Sequence, residues 1–321
     1  YARVRLLGAP FFLVACAMRE AQNGMGDART AMRAAIAANI VNIALDSLFI
    51  LHLGFGVPGA AAAAVLANGV EVAWLARAQR AIGFGLSALR SPSHRATVVR
   101  LWRLGVPIGL QFLLEVGSFA TLTAIFASMG ELDLAAHQIA LQLCHFSFMP
   151  MVALGEAASI LVGQAIGARA SGLVKRVARM AVYVTLAYGV LCGLVFAILG
   201  HVLASAFTKE APLVALAAKL LYVAAAFQLF DGANIVARSV LRGTGDVRFA
   251  ALVGVICAWV CTPPLALALG YGAGLGALGG WLGLCIEIIA GTAILWWRLE
   301  RGYWVVSARS LRRAEAALHA A

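Results

Sequence analysis

The chain has 321 residues, 63% of them hydrophobic and 12% charged, a balance that excludes an ordinary soluble domain. Its formal net charge is +11, but the basic residues lie between apolar segments and form no basic domain with interleaved aromatic residues, so nucleic acid binding is not expected. The composition therefore predicts a polytopic membrane protein.

Apolar windows of membrane-spanning length follow one another along the whole chain. Each should be a helix, because only helices and closed barrels satisfy their backbone groups in lipid, and these windows lack the two-residue alternation of barrel strands. The predicted fold class is an all-α polytopic membrane protein with about nine transmembrane helices. The predicted spans are 4–26, 31–53, 57–79, 101–128, 134–166, 177–202, 212–241, 249–270 and 274–297.

Lysine and arginine concentrate in every second connection between the spans. We expect these connections, and the C-terminus, on the cytoplasmic side of the membrane. The first span then runs from outside to inside, which predicts further helices upstream of it. The basic connections are 29–33, 77–103, 169–179, 242–248 and 298–313.

The longest polar break, 81–100, is rich in glycine, serine and arginine and contains Pro92. It reads as a cytoplasmic linker between two lobes. The predicted organisation is a partial N-terminal lobe of three helices at 1–80, a six-helix C-terminal lobe at 101–300 and a cytoplasmic tail at 301–321.

An internal repeat connects the first three spans with the last three. The segment 23–27 matches 242–246 at an offset of 219 (246 − 27), and 56–60 resembles 274–277 at nearly the same offset. Internal duplication of this kind is common in secondary transporters.

Three carboxylates, Asp46, Glu115 and Asp231, interrupt the apolar spans. A charge at that depth costs several kcal/mol, on the order of 3 for one residue at a helix centre, so such residues usually bind or relay an ion. Neutral hydrogen-bonding residues accompany each of them at helical spacing. These are Asn42 with Asp46, Gln111 and Ser118 with Glu115, and Gln228 and Asn234 with Asp231.

Enzymatic activity is not expected. The six cysteines lie singly in apolar segments without metal-ligand spacing, and no catalytic triad has its usual sequence context. Neither Gly-x-Gly-Asp unit is followed by the Lys-Ser or Lys-Thr of a nucleotide-binding loop. We predict no catalytic residue, no cofactor and no resident metal.

Four segments together resemble the multidrug and toxic compound extrusion (MATE) family: 105–119, 135–140, 162–168 and 241–246. The resemblance implies twelve helices in two lobes, with the first three absent from this chain. It implies that Glu115 and Asp231 are the acids of the C-lobe ion site, where Na⁺ or a proton would bind. Asn42 and Asp46 match the N-lobe motif, whose partner acid would come from a helix that this chain lacks.

The resulting prediction is a monomeric secondary active multidrug antiporter of the bacterial inner membrane, in contact with membrane lipid. It would export amphipathic or cationic organic compounds in exchange for H⁺ or Na⁺, with Glu115 and Asp231 as the coupling residues. The residues expected to line the substrate cavity are Gln111, Gln142, His145, Gln228, Phe112, Phe146, Met149 and Phe230.

Two other functions remain open at this stage. One is a flippase for lipid-linked precursors from the same superfamily, whose cavity should favour arginines that hold a carrier phosphate. The other is a truncated membrane scaffold without transport of its own.

Overall fold

The computed structural model of the chain describes residues 2–81, 83 and 94–310, and these residues are helical with short connections. Most of the predicted linker at 81–100 and the end of the predicted tail, 311–321, lie outside the described residues. The helices are α1 (Ala2–Gly24), α2 (Ala28–Asp46), α3 (Gly56–Ala81), α4 (His94–Met129), α5 (Glu131–Gly167), α6 (Leu173–Ser205), α7 (Ala211–Gly243), α8 (Val247–Val260), α9 (Thr262–Leu267) and α10 (Ala277–Arg301). A π-helical turn, Ser47–His52, extends α2, and another, Ala268–Gly272, follows α9.

The all-α fold class is confirmed, and each predicted span coincides with a helix or a helical series. In the part of the chain that the structure describes, eight segments are long and apolar enough to cross a membrane. The first of the nine predicted spans is not among these eight. It corresponds to α1, which is of similar length but carries Arg5, Arg19 and Glu20, and these charged residues lower its hydropathy. The eighth predicted span is broken into α8, α9 and a π-helical turn, because Pro263 and Pro264 lack the backbone donors that a continuous helix needs.

The chain divides into two compact units, Tyr1–Arg95 and Ala96–Ala321. In the first unit, α1 and α2 both pack against α3. Small residues at the contact let the helices approach closely, as is typical of membrane bundles. The buried alanines of this unit are Ala15, Ala31, Ala34, Ala38, Ala61, Ala63 and Ala67.

Helix α7 is the centre of the second unit and packs against α5, α6 and α10. Glycines on α6 face its backbone: a Cβ atom added at Gly193 would lie 2.9 Å from the carbonyl oxygen of Ala225. At the far end of the unit, the Asp133 carboxylate of α5 accepts the first N–H of α10, from Ala277, at 2.6 Å. This cap replaces the one that Gly276 cannot provide.

The two turns of the internal repeat have the same backbone hydrogen bonds. Gly26 N–H donates to the carbonyl three residues back at 3.0 Å and Asp27 N–H to the carbonyl five back at 3.1 Å; Gly245 and Asp246 do the same, both at 2.9 Å. Both glycines have positive φ, 88° and 82°. Asp27 then caps α2, and the hydrogen bonds of Thr30 to its carboxylate hold its pKa below the ordinary value.

Replacing Gly26 or Gly245 with alanine should lower the free energy of unfolding by about 1 kcal/mol, because a side chain is strained at positive φ. Gly167→Ala is the matched control, since its added Cβ meets open space and its φ is not positive. Thermal unfolding in detergent measures the difference. Equal melting temperatures for all three variants would contradict the shared turn geometry.

Candidate ion-coupling site

One face of α7 carries an acid, an amide and two guanidinium groups. Asp231, Asn234, Arg238 and Arg242 follow one another at intervals of three and four residues, so they lie on one stripe of the helix. Asp231 is 6% exposed and Asn234 3% exposed. Ionisable groups at this depth are costly unless they are paired, and a neighbouring helix supplies partners for the two arginines.

Helix α4 supplies Glu115 and Gln111. Arg238 Nη1 lies 2.7 Å from Glu115 Oε1, and Gln111 Nε2 donates to the same oxygen at 2.8 Å. Two further hydrogen bonds extend the network, both at 3.0 Å. Within α7, Arg238 Nη2 donates to Asn234 Oδ1, and between the helices Arg242 Nη2 donates to Gln111 Oε1. The structure thus joins α4 and α7 by a continuous polar network.

Arg238 is paired with Glu115 and makes no hydrogen bond to Asp231 within the described residues. This agrees with the two-turn separation of Asp231 and Arg238 on α7. Asp231 itself accepts no hydrogen bond in the described part of the chain, although it interacts electrostatically with Arg238 and Glu287. The two predicted coupling acids therefore differ: Glu115 has a cationic partner in contact and Asp231 does not.

The sequence did not single out Glu287 on α10 as a site residue. The structure brings it to the same cluster, where it interacts electrostatically with Arg238 and Glu115. Thr262, at the start of α9, donates its hydroxyl to Glu287 Oε2. The only signal in the sequence was a carboxylate within an apolar span, and its partners lie on other helices.

Two glycines make room for the network. A Cβ atom added at Gly254 on α8 would lie 2.5 Å from Glu115 Oε1 and 2.6 Å from Gln111 Nε2, and one at Gly291 on α10 would lie 2.9 Å from Asn234 Nδ2. At these two positions the backbone of α8 and of α10 therefore lies directly against the polar groups.

The residues predicted to line a substrate cavity fall into two groups. Gln111 and Gln228 are each 1% exposed, and Gln228 donates its amide to Ser147 Oγ. The remaining six are exposed on α4, α5 and α7. These are Phe112, Gln142, His145, Phe146, Met149 and Phe230.

In the first unit, Asn42 lines a cavity of about 270 Å³. The Asn42 Nδ2 and Asp46 Oδ1 atoms are buried without a hydrogen-bond partner among the described residues, so the structure does not pair them. The same cavity is lined by Arg19 and Glu71, which form an ion pair at 2.7 Å.

An all-helical membrane bundle with charged groups paired inside it is the architecture of a multi-pass transporter. The sequence model described as MatE matches residues 107–268. The probable multidrug resistance protein NorM of Pseudomonas syringae pv. tomato is 31% identical over 319 residues, covering 95% of this chain and 68% of that protein. The NorM protein of Mannheimia succiniciproducens is 29% identical over 315 residues, with 94% and 68% covered. The chain belongs to the MATE family, whose members are transporters and not enzymes.

Solved structures share the fold. A multidrug resistance MATE family transporter of the MOP superfamily, in an outward-facing conformation, has a TM-score of 0.87 at 23% identity, covering 95% of this chain and 69% of that one. A MATE in the straight conformation has the same TM-score at 24% identity and the same coverage. The chain thus spans about two thirds of these proteins.

The buried and exposed ion pairs should differ in their effect on stability. Arg19→Gln leaves Glu71, whose side chain is 5% exposed, without its cation and should cost about 2 kcal/mol, less than a fully buried pair because Arg19 is 35% exposed. Lys175→Gln is the control, since it removes a pair with Glu300 in which both side chains are 40% exposed, and should cost under about 1 kcal/mol. Urea or thermal unfolding in detergent measures both. A Lys175 variant as unstable as the Arg19 variant would contradict this ranking.

Proposed function

We propose that the chain is a secondary active multidrug efflux antiporter, exchanging H⁺ or Na⁺ for amphipathic or cationic organic compounds across the bacterial inner membrane. It acts as a monomer in contact with membrane lipid, with its C-terminus cytoplasmic, as the distribution of lysine and arginine predicts. Glu115 and Asp231 are the coupling residues.

The observation that carries this proposal is the state of Asp231. Its carboxylate is buried and accepts no hydrogen bond within the described residues, so its negative charge lacks the donors that would stabilise it. Uptake of a proton or cation removes that penalty. A buried carboxylate binds a proton or cation when water is excluded from it and releases that ion when water reaches it. Ion coupling requires such a change.

The exchange follows from charge balance. An organic cation and an inorganic cation compete for the same negative charge, so loading the carboxylates with protons or Na⁺ weakens the binding of the organic cation. Loading from the outside and unloading to the inside then drives the organic cation outward. The names of the relatives, multidrug resistance proteins, support this class of substrate.

The substrate-facing residues are the exposed ones. Phe112, Phe146, Met149 and Phe230 offer apolar and aromatic contact, as drug-binding surfaces do. Gln142 and His145 add polar groups on the same helix as Phe146. Gln111 and Gln228 are buried with their amides hydrogen-bonded, so in this conformation they position the site from within.

One observation supports the alternative function, a flippase: Arg238 and Arg242 lie in the same network as the acids. A lipid phosphate would need free guanidinium donors. Arg238 donates from Nη1 to Glu115 and from Nη2 to Asn234, and Arg242 donates from Nη2 to Gln111. Their two Nε donors have no partner among the described residues and are the donors that a lipid phosphate would have to use. The contact of Arg238 with a carboxylate favours the antiporter.

Vesicles that contain the protein and an internal fluorescent organic cation provide the test. Under an imposed proton or Na⁺ gradient, Glu115→Gln and Asp231→Asn should each lower the initial export rate by about 5- to 150-fold, the range of an ordinary coupling energy. Glu210→Gln, an exposed acid in the connection before α7, is the control and should export like the unmodified protein.

Full gradient-driven export by the Glu115 and Asp231 variants would exclude them as coupling residues. Transfer of a lipid-linked phosphate between leaflets, with no export of the cation by any form, would favour the flippase.

A further inference from the structure

Arg238 lies among three carboxylates that come from three helices. Glu115 on α4 is in contact with it, and Asp231 on α7 and Glu287 on α10 interact with it electrostatically. Both members of the contact pair are largely buried, with side chains 19% and 20% exposed. The guanidinium is therefore a fixed positive charge inside the proposed coupling site.

The contact occupies one of the two oxygens that Glu115 could offer to a metal cation. Glu115 Oε1 accepts hydrogen bonds from both Arg238 and Gln111, so its lone pairs are directed at N–H donors. A hard cation requires several oxygen ligands arranged around it. Arg242, which binds Gln111, adds a second positive charge close to the same carboxylate. Sodium at Oε1 would have to displace a guanidinium, and sodium at Oε2 would bind beside two fixed positive charges.

A proton has no such requirement. It needs a single carboxylate oxygen, and Asp231 offers oxygens that accept no hydrogen bond within the described residues. If Glu115 takes the proton, Arg238 still has Asp231 and Glu287 as carboxylate neighbours, so its charge is not left isolated. Among the described residues, Glu156 on α5 also interacts electrostatically with Arg242.

We propose that Arg238 is the residue that determines ion specificity: it is a built-in counter-ion that holds the Glu115 position against Na⁺, so that the site responds to protons. This inference rests on the proposed function, because it concerns the ion bound at the same site. It assigns to Arg238 a selective role, and to Glu287 the role of an alternative partner for the guanidinium.

Binding of Na⁺ to the purified protein tests this without any transport. In Arg238→Gln, Glu115 loses its cation, so Na⁺ should bind there and raise the melting temperature by about 3 °C at saturating concentration. N-methylglucamine chloride at the same ionic strength should have no such effect. The unmodified protein, Arg238→Lys and Arg179→Gln should all be insensitive to Na⁺. Arg179→Gln makes the same chemical change at the exposed pair with Glu300, away from the site.

Specific stabilisation of the unmodified protein by Na⁺ would overturn the proposal, and so would a folded Arg238→Gln variant that Na⁺ does not stabilise. If that variant does not fold, carbodiimide labelling of the unmodified protein decides, since the reagent attacks protonated carboxyl groups. Labelling of Glu115 and Asp231 should rise as pH falls and be unaffected by Na⁺; protection by Na⁺ would contradict the assignment.

The two proposals fail in different ways. If the unmodified protein exports no organic cation but Na⁺ stabilises Arg238→Gln as expected, the antiporter is refuted and the role of Arg238 in ion specificity is retained. Export driven by Na⁺ in the unmodified protein would retain the antiporter and refute the role of Arg238.

Discussion

The pairing of charges within an apolar bundle is the constraint on which the second unit depends. An isolated carboxylate or guanidinium at this depth costs several kcal/mol, on the order of 3 by insertion scales, so Glu115 and Arg238 are tolerable only together. Their contact fixes α4 against α7, and the small residues follow from it: Gly254 on α8 faces Glu115, and Gly291 on α10 faces Asn234. Packing and electrostatics thus specify the same helix arrangement.

Both copies of the internal repeat contain an arginine that is paired with a carboxylate. Arg19 and Arg238 occupy equivalent positions, because their separation (238 − 19 = 219) is the offset of the two matching turns. Each binds a carboxylate on another helix, Arg19 to Glu71 and Arg238 to Glu115, both at 2.7 Å. The partners come from non-equivalent helices. The duplicated unit therefore supplies a cation at an equivalent position, while the rest of the sequence decides which acid neutralises it.

Sequence was sufficient for features that depend on local composition. Hydropathy located the helices, and the segments 23–27 and 242–246 were recognisable as a repeat. The structure shows that both are turns in which a glycine has positive φ. Pro263 and Pro264 indicate the break between α8 and α9. The prediction did not include this break, because the apolar window around the two prolines is long enough for one continuous span. The partners of the acids could not be predicted, because Glu115 and Arg238 are 123 residues apart and no periodicity relates two helices. Glu287 was missed for the same reason.

Under the proposed antiport, Glu115 and Asp231 would have different roles. Glu115 is held by a guanidinium, whereas Asp231 is buried and accepts no hydrogen bond among the described residues. Since Arg238 interacts with both, a proton gained at Asp231 removes one of its attractions and strengthens its preference for Glu115 and Glu287. Protonation of Asp231 would therefore change the interactions of Arg238 with α4 and α10. In the proposed exchange, Arg238 would thus convert the protonation of Asp231 into a force between helices.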